Sequence, residues 1–455
     1  MLTIKPGYPL KGGVGPLARF SLPGDKSLSH RAALLAALAH GESRIDNFLV
    51  SGVTEAMLGA LTALGVDWQL DGSILTVIGR GIQGLQTPTA PINCGNSATT
   101  LRLLAGALAA TGVAAELTGS SGLCKRPMRR VVEPLQQMGV PIQASPEGTA
   151  PLVLAARLLD QPLKAIDITL PVASAQVKSA LLLAALVADG STTLREPGPS
   201  RDHTERMLRS MGVAVDSWTE PGGIYATKMI DEEGNVQRST FKLRPLNMQI
   251  PCDISSAAFL IVAALITPGS ELTIQGVGLN PTRTGLIDAL QMMGADLQVL
   301  PGPEQGGEPY GNLVIRSSVL RAVEISGSLV VRMIDEFPVF AVAAAFAHGT
   351  TIVRDAEELR YKESDRIGVL GAELRKLGIE LHETPDGFFL PGGLPLRGAK
   401  VDPHGDHRLA MALAVAGLAA QTEVTIEGAE IISESFPEFI PILLDLGAKL
   451  ILVRE

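Results

Sequence analysis

Cations recur where helices begin in this chain. The stretch SLPGDKSLSHR ends a strand-like run at Pro23–Gly24, then sets Lys26 and Arg31 at the head of the apolar run AALLAALA. Pro and Gly break the strand, and Asp25 or a serine can cap the helix. Arg102 and Arg126, Lys178 and Arg201, Lys362 and Arg366 beside Glu363, and Arg408 beside Asp406 and His407 fall at comparable turns, as do Asp335 and Glu336. A positive side chain near a helix N-terminus opposes the helix dipole, at a cost of about 0.3–1 kcal/mol. Repeating that cost implies a bound anion, held by cations and unpaired helix N–H groups together.

Taken singly, the groups have ordinary explanations. Asp335 suits a helix N-cap, and Lys362 with Arg366 suits a solvated face with i,i+4 pairing. Arg129 and Arg130 read as surface charge, and His407 as a buried, hydrogen-bonded imidazole.

The elements that must position these groups repeat six times. The unit is strand, turn, apolar helix, strand, polar-capped helix, strand. The apolar helices are read in SHRAALLAALA, NSATTLRLLAGALAATG, SAQVKSALLLAALVADG, DISSAAFLIVAALITPG, DEFPVFAVAAAFAHG and GDHRLAMALAVAGLAA. Each is followed by an amphipathic helix ending in a Leu-Gly or Met-Gly step and a strand, the mark of a helix C-cap. The period is roughly 70–80 residues, too long for a solenoid repeat, so each unit is a small βαβ-type module. A helix apolar nearly all round must be buried. Three modules make one lobe, and six make two. The polar segment at 229–239 is expected as a surface hairpin, and GPEQGGEPYGN at 302–312 as a second surface loop.

Composition narrows the function class. The chain has 455 residues, 46% hydrophobic, 19% charged and 4% aromatic, with a net charge of -9. That supports a large aliphatic core and disfavours a nucleic-acid or anionic-membrane partner. Cys94, Cys124 and Cys252 have no metal-ligand spacing and fit a reducing cytosol without disulfides. The apolar runs are too short to span a bilayer, and the N-terminus has no signal or transit character. A soluble cytoplasmic protein is expected.

LPGDKSLSHR, GNSATTLR, CKRPM, SAQVKSA, SRDHTE, MIDEFP, LRYKESDR and GDHRLAM together, in this order, resemble the EPSP synthase family, on its class II branch. The resemblance covers essentially the whole chain. It implies an α/β fold of two lobes with three βαβαββ units each, the inside-out α/β barrel of the enolpyruvyl transferases. It implies transfer of the enolpyruvyl group of phosphoenolpyruvate to the 5-hydroxyl of shikimate 3-phosphate, with phosphate released and neither metal nor organic cofactor. The partners expected are these two small molecules, with no nucleic acid and no membrane, and the chain is expected to be a monomer. The lobes are expected as residues 1–21 with 250–455 and as 22–249, with crossings near 21–23 and 249–252 and the active site in the cleft between them.

Residue roles follow from the same resemblance. Two phosphates and a carboxylate call for several cations, and planar Arg suits bidentate contact. Lys26, Ala98, Arg126, Gln176, Arg366 and Arg408 are expected at phosphoenolpyruvate. Lys26, Ser27, Arg31, Ser174, Gln176, Arg201, Asp335 and Lys362 are expected at shikimate 3-phosphate. Asp335 is the expected base for the hydroxyl, with Glu363 and Lys26 exchanging the proton of the methylene carbon. Two positions depart from the herbicide-sensitive branch. Ala98 stands where that branch has Gly, which implies glyphosate tolerance, and Glu434 stands where it has a Lys at the phosphoenolpyruvate site. The alternatives weighed are UDP-N-acetylglucosamine enolpyruvyl transferase, given Cys124 near Arg126–Pro127, and a sixfold scaffold without activity.

Overall fold

The computed structural model describes residues 1–230 and 242–452. The segment expected as a hairpin at 229–239 therefore lies almost wholly outside the described residues. Six helices are buried along nearly their whole length: Lys26–Leu38, Ala98–Thr111, Ala175–Ala185, Ile254–Ile266, Phe337–Phe346 and His407–Leu418. Their alanines and leucines leave no polar face to turn to water. After each comes a shorter helix with one exposed face, and the glycine that follows it adopts a positive φ in all six cases: Gly65, Gly139, Gly212, Gly294, Gly378 and Gly447. That backbone conformation reverses the chain into the next strand without a Cβ penalty.

Each module closes on a four-stranded sheet, one parallel pair extended by antiparallel strands. In the third module Asp167–Thr169 runs parallel to Thr192–Glu196, which pairs antiparallel with Tyr225–Met229. Three sheets recruit a strand from far away in sequence. Leu2–Lys5 inserts between Val424–Ile426 and Lys449–Leu452, antiparallel to both, with Leu2 opposite Ile426 and Leu452. Lys11–Val14 lies parallel to Glu271–Gly278. Met248–Gln249 lies parallel to the end of His40–Asp46.

The chain divides into two compact units. Unit one comprises Met1–Pro23, Pro251–Glu304 and Pro309–Glu455, and unit two Gly24–Ile250 with Gln305–Glu308. The division falls one or two residues later than the expected bounds of 21 and 249, within the crossings expected near 21–23 and 249–252. Leu22 packs in the core of unit one, and the Pro23 carbonyl accepts from the Asp253 N–H. Ile250 packs in the core of unit two, and its carbonyl accepts from Asn47 Nδ2. The stretch 302–312 is not the loop expected from its polar composition. Strands Asp296–Gln305 and Glu308–Arg316 run through it, joined by Gly306 and Gly307 at φ of 58° and 80°. Two positive-φ glycines make the tight turn that a twisted hairpin favours. Among the described residues no helix is long and apolar enough to cross a membrane.

In unit two the Ala98–Thr111 and Ala175–Ala185 helices approach to backbone contact at Gly106. A Cβ there would sit 2.2 Å from the Ala180 carbonyl oxygen and 2.5 Å from its Cα. Backbone cannot rotate away as a side chain can, so the helices would have to separate. Gly106→Ala is expected to destabilise the protein by about 1–3 kcal/mol or more, read as a lowered midpoint in urea. An unchanged midpoint would mean that the helices are free to part.

Candidate active site

In unit two the polar groups sit on the first turns of the buried helices. Asp25 caps the first helix, its carboxylate accepting from the Leu28 N–H at 2.9 Å. The cap leaves Lys26 and Ser27 on the opening turn and Arg31 one turn on. Arg31 is buried, and its fork is occupied. Nε donates to Thr204 Oγ1 and Nη2 to Ser179 Oγ, both at 2.9 Å. Nη1 donates to the Ser27 carbonyl at 3.0 Å and Nη2 also to the Ala175 carbonyl at 3.3 Å. Arg31 thus ties the Lys26 helix to the Ala175 helix. Burial, and then the charge of Arg201, push its pKa down to about 10. Arg201 itself donates from Nη1 to Ser27 Oγ at 3.0 Å. Cationic side chains kept this close favour an anion beside them.

The second cluster in this unit centres on Gln176. Its Oε1 accepts from Arg102 Nη1 at 2.5 Å, and its Nε2 donates to Thr99 Oγ1 at 2.9 Å. Arg102 Nη2 also donates to the Pro127 carbonyl at 3.0 Å, beside Arg126. Ala98 is the first residue of its helix, buried, behind the Ser97 cap that accepts from the Thr100 N–H at 3.1 Å. Arg102 is absent from the expected ligand set, although its cationic type on a buried helix was a signal. Cys124 is half-buried, its Sγ 3.6 Å from the Gly119 carbonyl.

His30 joins the first two helix starts. Its Nδ1 lies 2.8 Å from the Lys26 carbonyl, and Nε2 lies 3.1 Å from Ser97 Oγ and 3.1 Å from the Val53 carbonyl. Burial pushes its pKa down to about 4, aided by the charges of Lys26 and Arg31 against the favourable Lys26 carbonyl. The ring is therefore neutral and carries a single N–H among the Lys26 carbonyl, the Val53 carbonyl and the Ser97 hydroxyl.

Unit one assembles a different set. Asp335 is not the cap of the Phe337–Phe346 helix, whose N-cap residue is Glu336, and Glu336 makes no side-chain capping bond. Asp335 instead lies among three cations. Its Oδ1 is 3.4 Å from Lys362 Nζ and 3.5 Å from Arg366 Nη1, and its Oδ2 is 3.9 Å from Arg408 Nη2. Arg408 Nη1 also donates to the Asp335 carbonyl at 3.1 Å. Arg366 is not on a solvated face, being 2% exposed. It donates from Nε to Asp406 at 2.8 Å and from Nη2 to Glu363 at 2.8 Å. Burial alone would lower its pKa, but Asp406, Glu363 and Asp335 push it up. Asp406 in turn lies below the usual carboxylate range, because Arg366 outweighs the effect of burial. The same carboxylate caps the His407–Leu418 helix through the Arg408 N–H at 2.9 Å. Lys362 follows a short turn at Glu357–Tyr361 in extended backbone, not on a helix face. Glu434 is exposed at the end of the Ala429–Glu434 turn.

The EPSP synthase (3-phosphoshikimate 1-carboxyvinyltransferase) family model matches residues 13–443. A relative of that enzyme name from Citrifermentans bemidjiense is 45% identical over 97% of this chain and 98% of its own length. One from a Synechococcus strain is 48% identical over 97% and 96%. Among solved structures, EPSP synthase from Acinetobacter baumannii aligns at a TM-score of 0.84 and 39% identity, covering 99% of both chains. The enolpyruvyl transferase NikO from Streptomyces tendae aligns at 0.75 and 22% identity over 99% and 98%, which bears on the fold alone.

His30 makes the stability of the protein depend on pH. The unfolded chain takes up the imidazole proton near 6.5, whereas the folded chain resists it until about 4. The contribution is intact above 6.5 and is lost as pH falls toward 4, by about 3 kcal/mol at most. The unfolding free energy, measured in urea from pH 7 to pH 4, should fall less steeply in His30→Gln than in the wild type. Identical slopes would place the titration elsewhere.

Proposed function

The chain belongs to the EPSP synthase family, and on that premise we propose that it transfers the enolpyruvyl group of phosphoenolpyruvate to the 5-hydroxyl of shikimate 3-phosphate and releases phosphate. The kinship along nearly the whole chain carries the reading. It does not favour the UDP-sugar reaction or a scaffold without activity, and an Asp335 carboxylate held among three cations suits proton chemistry beside anions better than a structural cap.

Residues divide by what their surroundings let them do. In this reading Lys26, Ser27, Arg31, Ser174, Gln176, Arg201, Asp335 and Lys362 serve shikimate 3-phosphate. Arg31 acts chiefly by its charge, since its hydrogen bonds already brace two helices. Lys26, Ala98, Arg126 and Gln176 serve phosphoenolpyruvate, with Arg366 and Arg408. Arg102 joins them by fixing the Gln176 amide. Asp335 takes the proton of the attacking hydroxyl. Glu363, 2.8 Å from Arg366, and Lys26 deliver a proton to the methylene carbon and later recover one. The nearby carboxylates stabilise positive charge developing at the central carbon. A cytoplasmic setting accords with the three free cysteines.

Phosphate release from phosphoenolpyruvate with shikimate 3-phosphate as acceptor tests the activity, and absence of release with this acceptor would overturn the reading. Asp335→Asn keeps the shape of the side chain but cannot take the hydroxyl proton. Turnover should fall by on the order of a hundredfold or more, with shikimate 3-phosphate binding retained by calorimetry. Near-normal turnover in the folded variant would remove Asp335 from the role of base.

The methyl of Ala98 should crowd glyphosate more than the shorter phosphoenolpyruvate. Overpacking of this kind costs about 1–3 kcal/mol, roughly a ten- to hundredfold loss of inhibitor affinity. Ala98→Gly should therefore tighten glyphosate inhibition while the KM for phosphoenolpyruvate moves little. Equal inhibition of both forms would dismiss the steric account.

A further inference from the structure

Glu196 ends the strand Thr192–Glu196 and is fully buried, in a part of unit two to which no role has yet been given. Its two oxygens gather donors from two separate pieces of chain, the start of the Ala175–Ala185 helix and the loop at Ser200. Oε1 accepts from Lys178 Nζ at 2.7 Å, Ser200 Oγ at 2.6 Å and the Ser200 N–H at 3.2 Å. Oε2 accepts from the Ser174 N–H at 3.2 Å and lies 2.8 Å from Ser200 Oγ. Ser174 is the N-cap residue of the Ala175–Ala185 helix, yet its side chain makes no capping bond. Ser200 immediately precedes Arg201.

We propose that Glu196 is a positioning residue for the phosphate end of shikimate 3-phosphate, holding the helix start that carries Ser174 and the loop that carries Arg201 in fixed relation. The proposal rests on the reading that Ser174 and Arg201 serve that substrate. Three features support it. Glu196 accepts the Ser174 backbone N–H, and the Ser174 hydroxyl makes no capping bond. The Lys178 ammonium, also fully buried, is triply engaged by Glu196, by Glu205 Oε1 at 2.9 Å and by the Ser200 carbonyl at 3.2 Å. The brace on Ser200 is thus doubled. Arg31 completes the frame on the other side, joining the Ser27 and Ala175 carbonyls while Arg201 donates to Ser27.

Stability alone would not require this arrangement. A buried ion pair contributes no more than a well-packed apolar pair of similar volume. Burial also pushes the pKa of Glu205 up against the pull of Lys178, so a second carboxylate there is costly to keep ionised. The arrangement does fix distances, since a carboxylate with donors on both oxygens cannot rotate without breaking bonds. Held this way, Ser174 and Arg201 need not be ordered at the moment the anion arrives, which lowers the cost of binding.

Steady-state kinetics on Glu196→Gln and Ser200→Ala test the proposal, with thermal unfolding as the control for fold. Glu196→Gln keeps the volume but turns an amide toward the donors. The KM for shikimate 3-phosphate should rise roughly tenfold, as for loss of hydrogen bonds to a charged group. The kcat should stay within about threefold, and so should the KM for phosphoenolpyruvate at saturating shikimate 3-phosphate. Ser200→Ala should show the same split at roughly threefold, and it carries the test if Glu196→Gln does not fold. Folded variants with an unchanged KM for shikimate 3-phosphate would overturn the proposal. So would a loss spread evenly over kcat and both KM values. A wild type inactive toward shikimate 3-phosphate would defeat the functional reading itself, whereas an active wild type with insensitive variants defeats only the role of Glu196.

Discussion

A helix buried on every side meets polar surroundings chiefly near its ends. Six such helices fill the two cores of this protein, and their alanine and leucine faces carry no charge beyond the second turn. The first turn is where unpaired N–H groups, a capping side chain and the dipole coincide. Polar chemistry therefore concentrates there. The capping carboxylates of Asp25 and Asp406 and the cap hydroxyl of Ser97 satisfy the first N–H groups. The next side chains are freed for other work, and they are where the lysines and arginines stand.

Burying a cation is costly unless it is paired and hydrogen-bonded, and the two units meet that demand differently. In unit one the partners are ionised. Arg366 has Asp406, Glu363 and Asp335, and Arg408 has Asp335 with Glu336 3.7 Å away. In unit two Arg31 and Arg102 are held by hydroxyls, carbonyls and an amide. Neutral acceptors satisfy the N–H groups without cancelling the charge. Unit one thus sets carboxylates directly against its buried cations, whereas Arg31 and Arg102 of unit two hydrogen-bond to neutral acceptors. Lys178 is the exception in unit two, neutralised by Glu196 and Glu205, and it serves to brace neighbouring segments.

Neutral His30 fits the same scheme. A protonated imidazole between Lys26 and Arg31 would add like charge to a crowded helix start. The neutral ring instead lies between the Lys26 carbonyl and Ser97, tying two helix N-termini together.

Much of this was legible in the sequence because it depends on neighbours a few residues apart. Apolar residues at every position of a run require burial, whatever lies around them. A glycine between an amphipathic helix and a strand reads as a left-handed C-cap, since other residues resist that conformation. Cations at helix heads signalled an anion, and the ordered motif set identified the family and with it the reaction. Partners distant in sequence left no such trace. Nothing local marks Leu2–Lys5 as the missing strand of a sheet at the far end of the chain, or Met248–Gln249 as a neighbour of Ile45 and Asp46. The polar stretch at 302–312 became a hairpin because two glycines set its turn and because Glu308 is buried against His203, at 2.8 Å. Taken singly, Arg366 suits a solvated face, whereas Asp335, Glu363 and Asp406 surround it, and Glu196 carried no motif at all. Local pattern determines which elements form and which residues can do chemistry. Only the tertiary structure decides which carboxylate faces which cation, because that choice is made by contacts between chain segments that local periodicity does not encode.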